Sequence, residues 1–239
     1  MSIYFFFKRF LESASYRFSP PVKRKVIVLT FDDHVDEKSI ELAKHLESMR
    51  MSATFFLTLK RTKPGIIKKL VSLGHEIGGH SVRHSRGERN KFYAAAAAQC
   101  MSELRKYDSR VVSWRFPWTS KDERSVNNVA AAGFLIDSSV GTFYPVKKLG
   151  KLGALSELPW LRLPRQWQMD VNEKDYGIIK SYIIRKVSSE CGVFVLGFHA
   201  YHQHANFSAF KDLIETLMKM PVEFLTLREA AEVLKNGTL

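Results

Sequence analysis

The run Val26-Ile27-Val28-Leu29-Thr30-Phe31-Asp32-Asp33 constrains this chain more than any other stretch. Four apolar residues, three of them β-branched, lead into Thr-Phe and predict a strand buried on both faces. Strands of that kind belong to parallel sheets covered by helices. The strand ends in two adjacent carboxylates, each of which needs water or a counter-charge. Two readings are open. Either the pair is an Asp-rich turn, or the N-cap of a helix starting near Asp36, or it belongs to a site whose partners lie further along the chain.

The rest of the pattern supports a parallel α/β architecture. A helix is predicted over 36–50, with Leu42, Ala43, Leu46 and Met49 on one face. Strand 53–59 follows, then a helix begun by Pro64 and closed by Gly74. Strand 75–80, helix 88–107, strand 111–116 and helix 122–132 come next, and residues 133–136 lead to Asp137. The stretch 141–176 reads as irregular. Helix 177–190, strand 193–196 running on to His199, helix 207–219, strand 222–225 and helix 227–235 complete the chain. Strands alternate with helices. The candidate functional residues fall just after strands, where α/β barrels carry their active sites. Ser19-Pro20-Pro21 and Lys23-Arg24-Lys25 mark the boundary between an N-terminal arm, 1–25, and one catalytic domain, 26–239.

Charge narrows the partners. Thirty-seven Lys and Arg stand against 24 Asp and Glu, a formal +13, which favours anionic glycans, phosphate-bearing lipids or membrane surfaces. Zinc-finger spacing, an RRM signature and repeats are all absent from the sequence, so nucleic acid is not the expected partner. Cys100 and Cys191 do not form a pair pattern and read as two free thiols. The opening run Met1 to Leu11 is too short to span a bilayer, and its charges follow the apolar residues, unlike a signal peptide. It reads as an arm packed on the domain, or as a peripheral membrane anchor with Lys8, Arg9 and Arg17 near anionic lipid. The expected location is cytoplasmic, at the inner face of the membrane.

His80-Ser81-Val82-Arg83-His84 places two imidazoles at i and i+4. On one helical turn both face the same way, and both can reach one metal through neutral nitrogens. Surface histidines are the plainer reading. Gly78-Gly79 before them permits a close backbone approach. With Asp33 as third ligand, two His and one carboxylate with water at an open position make a hydrolytic site. The same ligand types also form the facial triad of non-haem iron oxygenases.

Thr30-Phe31-Asp32-Asp33, His80-Ser-x-x-His84, Arg115-Phe-Pro117-Trp118 and Leu196-Gly-Phe-His199 together resemble the successive motifs of the polysaccharide deacetylases, the NodB-homology group of carbohydrate esterase family 4. Gly133-Phe-Leu-Ile-Asp137-Ser138-Ser139 is similar to a segment of a peptidoglycan-deacetylase-like branch. The resemblance covers about residues 26–235. It implies a distorted (β/α) barrel and metal-dependent removal of an acyl group, acetyl or formyl, from an N-acylated amino sugar. Asp33, His80 and His84 match the family's metal ligands, Asp32 its general base and Arg115 the residue that orients that base. The Trp118 backbone N–H matches an oxyanion donor, and His199 matches the general acid. An amide is a poor electrophile, so such a site needs a metal to polarise it, an ionised base beside Arg115 and a protonated His for the leaving amine. Asp137 is the candidate carboxylate for holding His199 protonated. Zn²⁺ suits the ligands, and Co²⁺, Ni²⁺ or Fe²⁺ bind similar sets.

There are departures from the family. His34 stands where it has Gly, and Val140-Gly141 follow Asp137-Ser-Ser where it has an Asp-x-x-x-Trp motif. His202 and His204 read as part of a His-rich surface loop in preference to a second metal site. Tyr201, Trp160 and Trp167 are candidates, with Trp118, for contact with a sugar ring; core anchoring is the alternative for Trp160 and Trp167. Arg162, Arg165 and Lys147 can read a phosphate or carboxylate. From charge and location, the expected substrate is an anionic or lipid-linked amino-sugar glycan. The competing readings are a ring-opening amidohydrolase acting on a non-sugar amide and a catalytically silent glycan-binding domain.

Overall fold

The structure, a computed structural model, describes residues 22–162, 175–237 and 239. Most of the predicted arm, together with Arg165 and Trp167, lies outside the described residues. β1 (Lys25–Asp32) is followed by α1 (Ile40–Ser48), β2 (Thr54–Leu57), α2 (Pro64–Ser72) and β3 (Glu76–Gly79). Where one helix is expected over 88–107 there are two, α3 (Arg86–Asn90) and α4 (Ala94–Leu104). Phe92 and Tyr93 between them take left-handed φ values of 51° and 54°, which no α-helix can carry through. β4 (Ser113–Trp114), α5 (Glu123–Ala131) and β5 (Ile136–Asp137) come next. The stretch read as irregular contains four short strands, β6 (Gly141–Thr142), β7 (Gly150–Leu152), β8 (Leu155–Glu157) and β9 (Trp160–Leu161). α6 (Tyr176–Ser189), β10 (Gly192–His199), α7 (Ala200–Ala205), α8 (Phe207–Met218), β11 (Glu223–Phe224) and α9 (Leu227–Lys235) complete the described chain.

The main sheet runs β10-β1-β2-β3-β4-β5-β8-β7, with β11 also pairing with β1. All its pairings are parallel except β7 with β8. The sheet curls into the half-barrel expected for a distorted (β/α) barrel. β1 is buried on both faces, as its composition requires. Ile27, Leu29 and Phe31 join the larger apolar core, while Val26 and Val28 join a second core. β10 divides in the same way: Phe194, Leu196 and Phe198 lie in the first core, and Val193 and Val195 in the second. Each such side chain contributes about 1.5–3 kcal/mol of burial free energy. Slipping β1 by one residue would exchange its two faces, so packing holds the register. That register pairs Asp32 with His199 at the open end of the sheet.

The opposite end is latched by Glu76. Its buried carboxyl accepts from Thr54 Oγ1 at 2.8 Å, Ser113 Oγ at 2.5 Å and the Arg228 N–H at 3.0 Å. Burial pushes the Glu76 carboxyl up from its ordinary value, and these hydrogen bonds only partly offset that. One acid thereby joins β2, β3, β4 and the first turn of α9.

β3 delivers His80 through Gly78-Gly79, whose lack of side chains admits aromatic neighbours. A Cβ on Gly79 would lie 2.5 Å from Trp114 Cε3 and 2.9 Å from Phe134 Cζ. Both rings are fully buried in the core and cannot retreat cheaply. Gly79→Ala is therefore expected to cost about 1–3 kcal/mol through overpacking. Chemical denaturation checks this, and a loss under about 0.5 kcal/mol would contradict the packing argument.

Candidate active site

Every element of the site starts at the C-terminal end of a strand. Asp32 closes β1, Asp33 follows it, His80 follows β3, Arg115 follows β4, Asp137 closes β5 and His199 closes β10. A cleft of about 440 Å³ opens there, lined by Asp32, Asp33, His80, His84, Phe116, Trp118, Thr119 and His199.

Arg115 organises one side of it. The guanidinium is buried and fully engaged. Its Nη1 donates to Asp32 Oδ1 and Thr30 Oγ1, both at 2.8 Å. Its Nε donates to the Ser138 carbonyl at 2.7 Å and its Nη2 to Ser138 Oγ at 2.8 Å. The Phe56 ring lies beneath it, 4.4 Å from Cζ. Burial alone would raise the Asp32 carboxyl, but Arg115, then His80 and His199, outweigh it and hold the group below the usual carboxylate range. Asp32 is accordingly ionised at neutral pH, as expected for a residue beside Arg115.

The other side converges on Asp33. Its Oδ1 lies 3.6 Å from His80 Nε2 and 3.4 Å from His84 Nε2. Its Oδ2 lies 3.5 Å from His199 Nε2. The buried Oδ1 has no hydrogen-bond partner among the described residues. His80 Nδ1 donates to the Arg115 carbonyl at 2.8 Å, which fixes the proton on Nδ1 and leaves a lone pair on Nε2. Burial lowers both His80 and His84 from the ordinary imidazole value, so both are neutral near pH 7. Two ligands of a tetrahedral ion at about 2.0–2.1 Å sit roughly 3.4 Å apart. Neutral nitrogens and an orphaned carboxylate oxygen at these separations therefore fit a divalent cation. Asp33, His80 and His84 are the one such group among the described residues.

His80 and His84 do not share a helical turn, contrary to the expectation from their spacing. The intervening residues form an irregular loop, with Ser81 at φ 76° and His84 at φ 54°. Local hydrogen bonds shape it. Ser81 Oγ accepts from the His84 N–H at 2.9 Å. The Glu88 carboxylate, in the capping box of α3, accepts from the N–H groups of Val82, Arg83 and Ser85. The rings end 5.1 Å apart, centroid to centroid. Asp33, Ser81, His84, Trp118 and Thr119 are five of the eight non-glycine residues with positive φ among the described residues. That concentration of backbone strain around one cleft is typical of functional sites.

Trp118 is 49% exposed and sets its ring edge against His84, 4.3 Å between centroids. Tyr201 stacks on His34 at 4.9 Å, so His34 turns its ring to a tyrosine and is not one of the three converging ligands. Trp160 is corrected to a core residue. It is 3% exposed and its indole N–H donates to the Ser139 carbonyl at 3.3 Å, which leaves no face for a sugar. His202 and His204 lie on the short helix α7 and not on a loop.

Asp137 is placed differently from the role sought for it. Its Oδ2 takes Lys121 Nζ at 2.6 Å and its Oδ1 takes Ser139 Oγ at 2.5 Å. The carboxylate paired with His199 is instead Asp33. Ser139 Oγ also accepts from the Phe116 N–H at 2.7 Å, so Asp137 braces the turn that carries Trp118. Lys121 reaches Glu157 as well, at 2.9 Å. Burial works against the Lys121 charge, but Asp137 and Glu157 more than restore it, raising the amine above its ordinary value. Lys121 and Glu157 were not among the residues singled out by sequence, whereas Thr30 and Ser138 stood in the Thr-Phe-Asp-Asp and Asp-Ser-Ser motifs without a role assigned to them.

A family model described as polysaccharide deacetylase matches residues 19–136. A peptidoglycan-N-acetylglucosamine deacetylase of Bacillus cereus is 35% identical over 77 residues, 31% of this chain and 28% of that protein. The chain spans about a quarter of the length of the curated relatives it matches. A family 4 acetyl xylan esterase from Clostridium thermocellum, solved with a cobalt ion, has a TM-score of 0.62 at 20% identity, over 87% of this chain and 91% of its own. The chitin deacetylase of Colletotrichum lindemuthianum has a TM-score of 0.59 at 16% identity, over 88% and 91%. At these identities the two structures establish a shared fold.

Replacing Lys121 tests the brace. Lys121→Met leaves two buried carboxylates facing each other without a cation and is expected to cost about 3–5 kcal/mol. Urea denaturation measures this; a loss under about 1 kcal/mol would mean that water reaches the cluster.

Proposed function

We propose that the chain, whose residues 19–136 match the polysaccharide deacetylase family model, is a member of that family and a metal-dependent hydrolase removing an N-acyl group, acetyl or formyl, from an amino sugar of a glycan. The observation that carries this reading is the convergence of the unpartnered Asp33 oxygen with two neutral imidazoles, beside an ionised Asp32 and His199. Asp33, His80 and His84 would hold the ion. A bound divalent ion supplies Lewis-acid polarisation of the amide carbonyl and acidifies a water. Zn²⁺ suits two nitrogens and one oxygen, and Co²⁺, Ni²⁺ and Fe²⁺ are accommodated by the same donors. The cobalt ion of the structurally similar esterase supports a divalent metal of this class.

The chain's own groups divide the proton transfers. Asp32 accepts a proton at the oxygen not bonded to Arg115, and Arg115 keeps the carboxylate aimed and charged. Its depressed pKa makes it a weak base, suited only to a strongly acidified water. His199 is across the strand pair from Asp32 and delivers a proton to the departing nitrogen. The Trp118 N–H serves the developing oxyanion, and its exposed indole offers a face to the sugar. Peptidoglycan-type N-acetylglucosamine is the first substrate to try, following the Bacillus cereus relative. For location, we place the activity at the cytoplasmic face of the membrane, on the basic and aromatic character of residues 1–11.

Asp32→Asn separates binding from turnover. It is expected to keep about one Zn²⁺ or Co²⁺ per chain while acetate release from N-acetylglucosamine oligomers falls by about 10²–10⁴. His80→Ala should lose the metal. Wild-type protein that holds no divalent metal by elemental analysis would sink this reading.

The metal's pH dependence follows from the two ligands. Both histidines titrate below the ordinary imidazole value, so the free bases that bind metal persist to lower pH. As pH falls through those depressed values, protons displace the ion. After equilibration across a pH series, half-loss of bound Zn²⁺ is expected below about pH 6.5. In the metal-free protein, NMR titration of the two rings should give midpoints below that value, and midpoints at or above it would show that burial does not depress them.

A further inference from the structure

We infer that the His80/His84 side of the cleft carries an anion-binding rim, formed by Lys60 and Arg61 on one loop and Arg83, Arg86 and Arg89 on the next, and that the amino sugar it receives sits on a chain bearing phosphate or carboxylate groups. This rests on the deacylase reading for the reaction and adds the class of substrate.

The two loops form one structural unit. The Leu59 N–H donates to the Ser81 carbonyl at 3.2 Å and the Lys60 N–H to the Val82 carbonyl at 2.9 Å. That joins Lys60 and Arg61 to the segment that carries His80 and His84. Arg83 immediately precedes His84, and Arg86 and Arg89 lie on the helix that follows. All five side chains are exposed. Arg61 is close enough for its charge to act on His84.

The rim cations are not neutralised by acids among the described residues, as some other surface lysines are. Elsewhere, Lys44 pairs with Glu41, Lys106 with Glu103, Lys180 with Asp212 and Lys186 with Glu190. None of the five rim cations has an ion-pair partner among the described residues. Glu88 and Glu37 are already committed. Glu88 turns its carboxylate inward to the backbone N–H groups of 82, 83 and 85, and Glu37 is held by Lys63. Uncompensated like charges beside a cleft focus the field at its mouth and draw in anions. Four of the five are arginines, whose planar fork matches the oxygens of carboxylate and phosphate. A glycan is favoured over nucleic acid because the rim adjoins a cleft with one exposed tryptophan and a hydrolytic group of side chains, not a run of stacking platforms.

The test uses the Zn²⁺-loaded full chain and a Lys60→Gln/Arg61→Gln/Arg83→Gln/Arg86→Gln variant, with Arg61→Gln alone should the fourfold variant fail to fold. Three probes are compared: a neutral N-acetylglucosamine tetramer, UDP-N-acetylglucosamine for phosphate and a hyaluronan tetrasaccharide for carboxylate. In wild type, kcat/KM for at least one anionic probe should exceed that of the neutral one and fall with added salt. In the fourfold variant the anionic-to-neutral ratio should drop by about tenfold. Which anionic probe responds identifies phosphate or carboxylate. Calorimetric binding of the same probes is measured in parallel on Asp32→Asn. Acyl release with an unchanged ratio overturns the rim and leaves the deacylase reading standing. Anion binding that the rim variant loses, with no release from any probe, keeps the rim and removes the deacylase reading.

Discussion

The buried ion pair between Arg115 and Asp32 is the interaction on which the site depends. Removing a guanidinium from water costs several kcal/mol unless its donors are matched. Here they are met from two strand ends, Thr30 and Asp32 on β1 and Ser138 just past β5, both reached from the end of β4. Because β1 and β4 are separated by two strands in the sheet, the pair reaches across the mouth of the half-barrel. The curl of the sheet brings these ends together, and the guanidinium holds them at that spacing. A flat sheet of the same order would leave Arg115 buried and unmatched.

The same physics explains why Asp33 can remain exceptional. One residue away, Asp32 is matched by a cation, whereas the Asp33 Oδ1 is buried with only histidine nitrogens nearby. Its backbone is held at φ 74°, and the Thr58 N–H donates to its carbonyl. Left-handed backbone and an unmatched oxygen both cost free energy. The surrounding barrel, with β1 packed on both faces, supplies the stability that offsets them. Tandem aspartates thus serve opposite ends: one satisfied and aimed, the other left open for a ligand.

How much of this was legible depended on whether the signal was local. β1 and β10 were readable because strands buried on both faces need continuous apolar runs, and their ends delivered Asp32, Asp33 and His199. The His80/His84 pair was readable by residue type but not by geometry. An i, i+4 spacing suggests a helical turn, yet Ser81 and Glu88 fold the segment into a loop through backbone hydrogen bonds that no periodicity announces. Trp160 was misleading because an aromatic in a Pro- and Arg-rich stretch looks like a surface platform. It instead fills the second core. Lys121 was invisible: a lysine in a polar run reads as solvated, and its burial follows from two acids far along the chain.

Asp137 shows why position along a motif does not settle a role. The segment Asp137-Ser138-Ser139 sends Ser138 to Arg115 and Ser139 to the Phe116 N–H. One tripeptide therefore supports both the Asp32 side and the Trp118 side of the cleft. Lys121 anchors it by neutralising Asp137 from behind. The acid lies behind the residues that line the cleft, where its bond to Ser139 supports the position of Phe116. His199 Nε2 lies 3.5 Å from Asp33 Oδ2, and the same carboxylate also faces the His80 and His84 imidazoles. A single side chain thereby links the candidate ion site to the proposed proton donor, so a change in Asp33 reaches both.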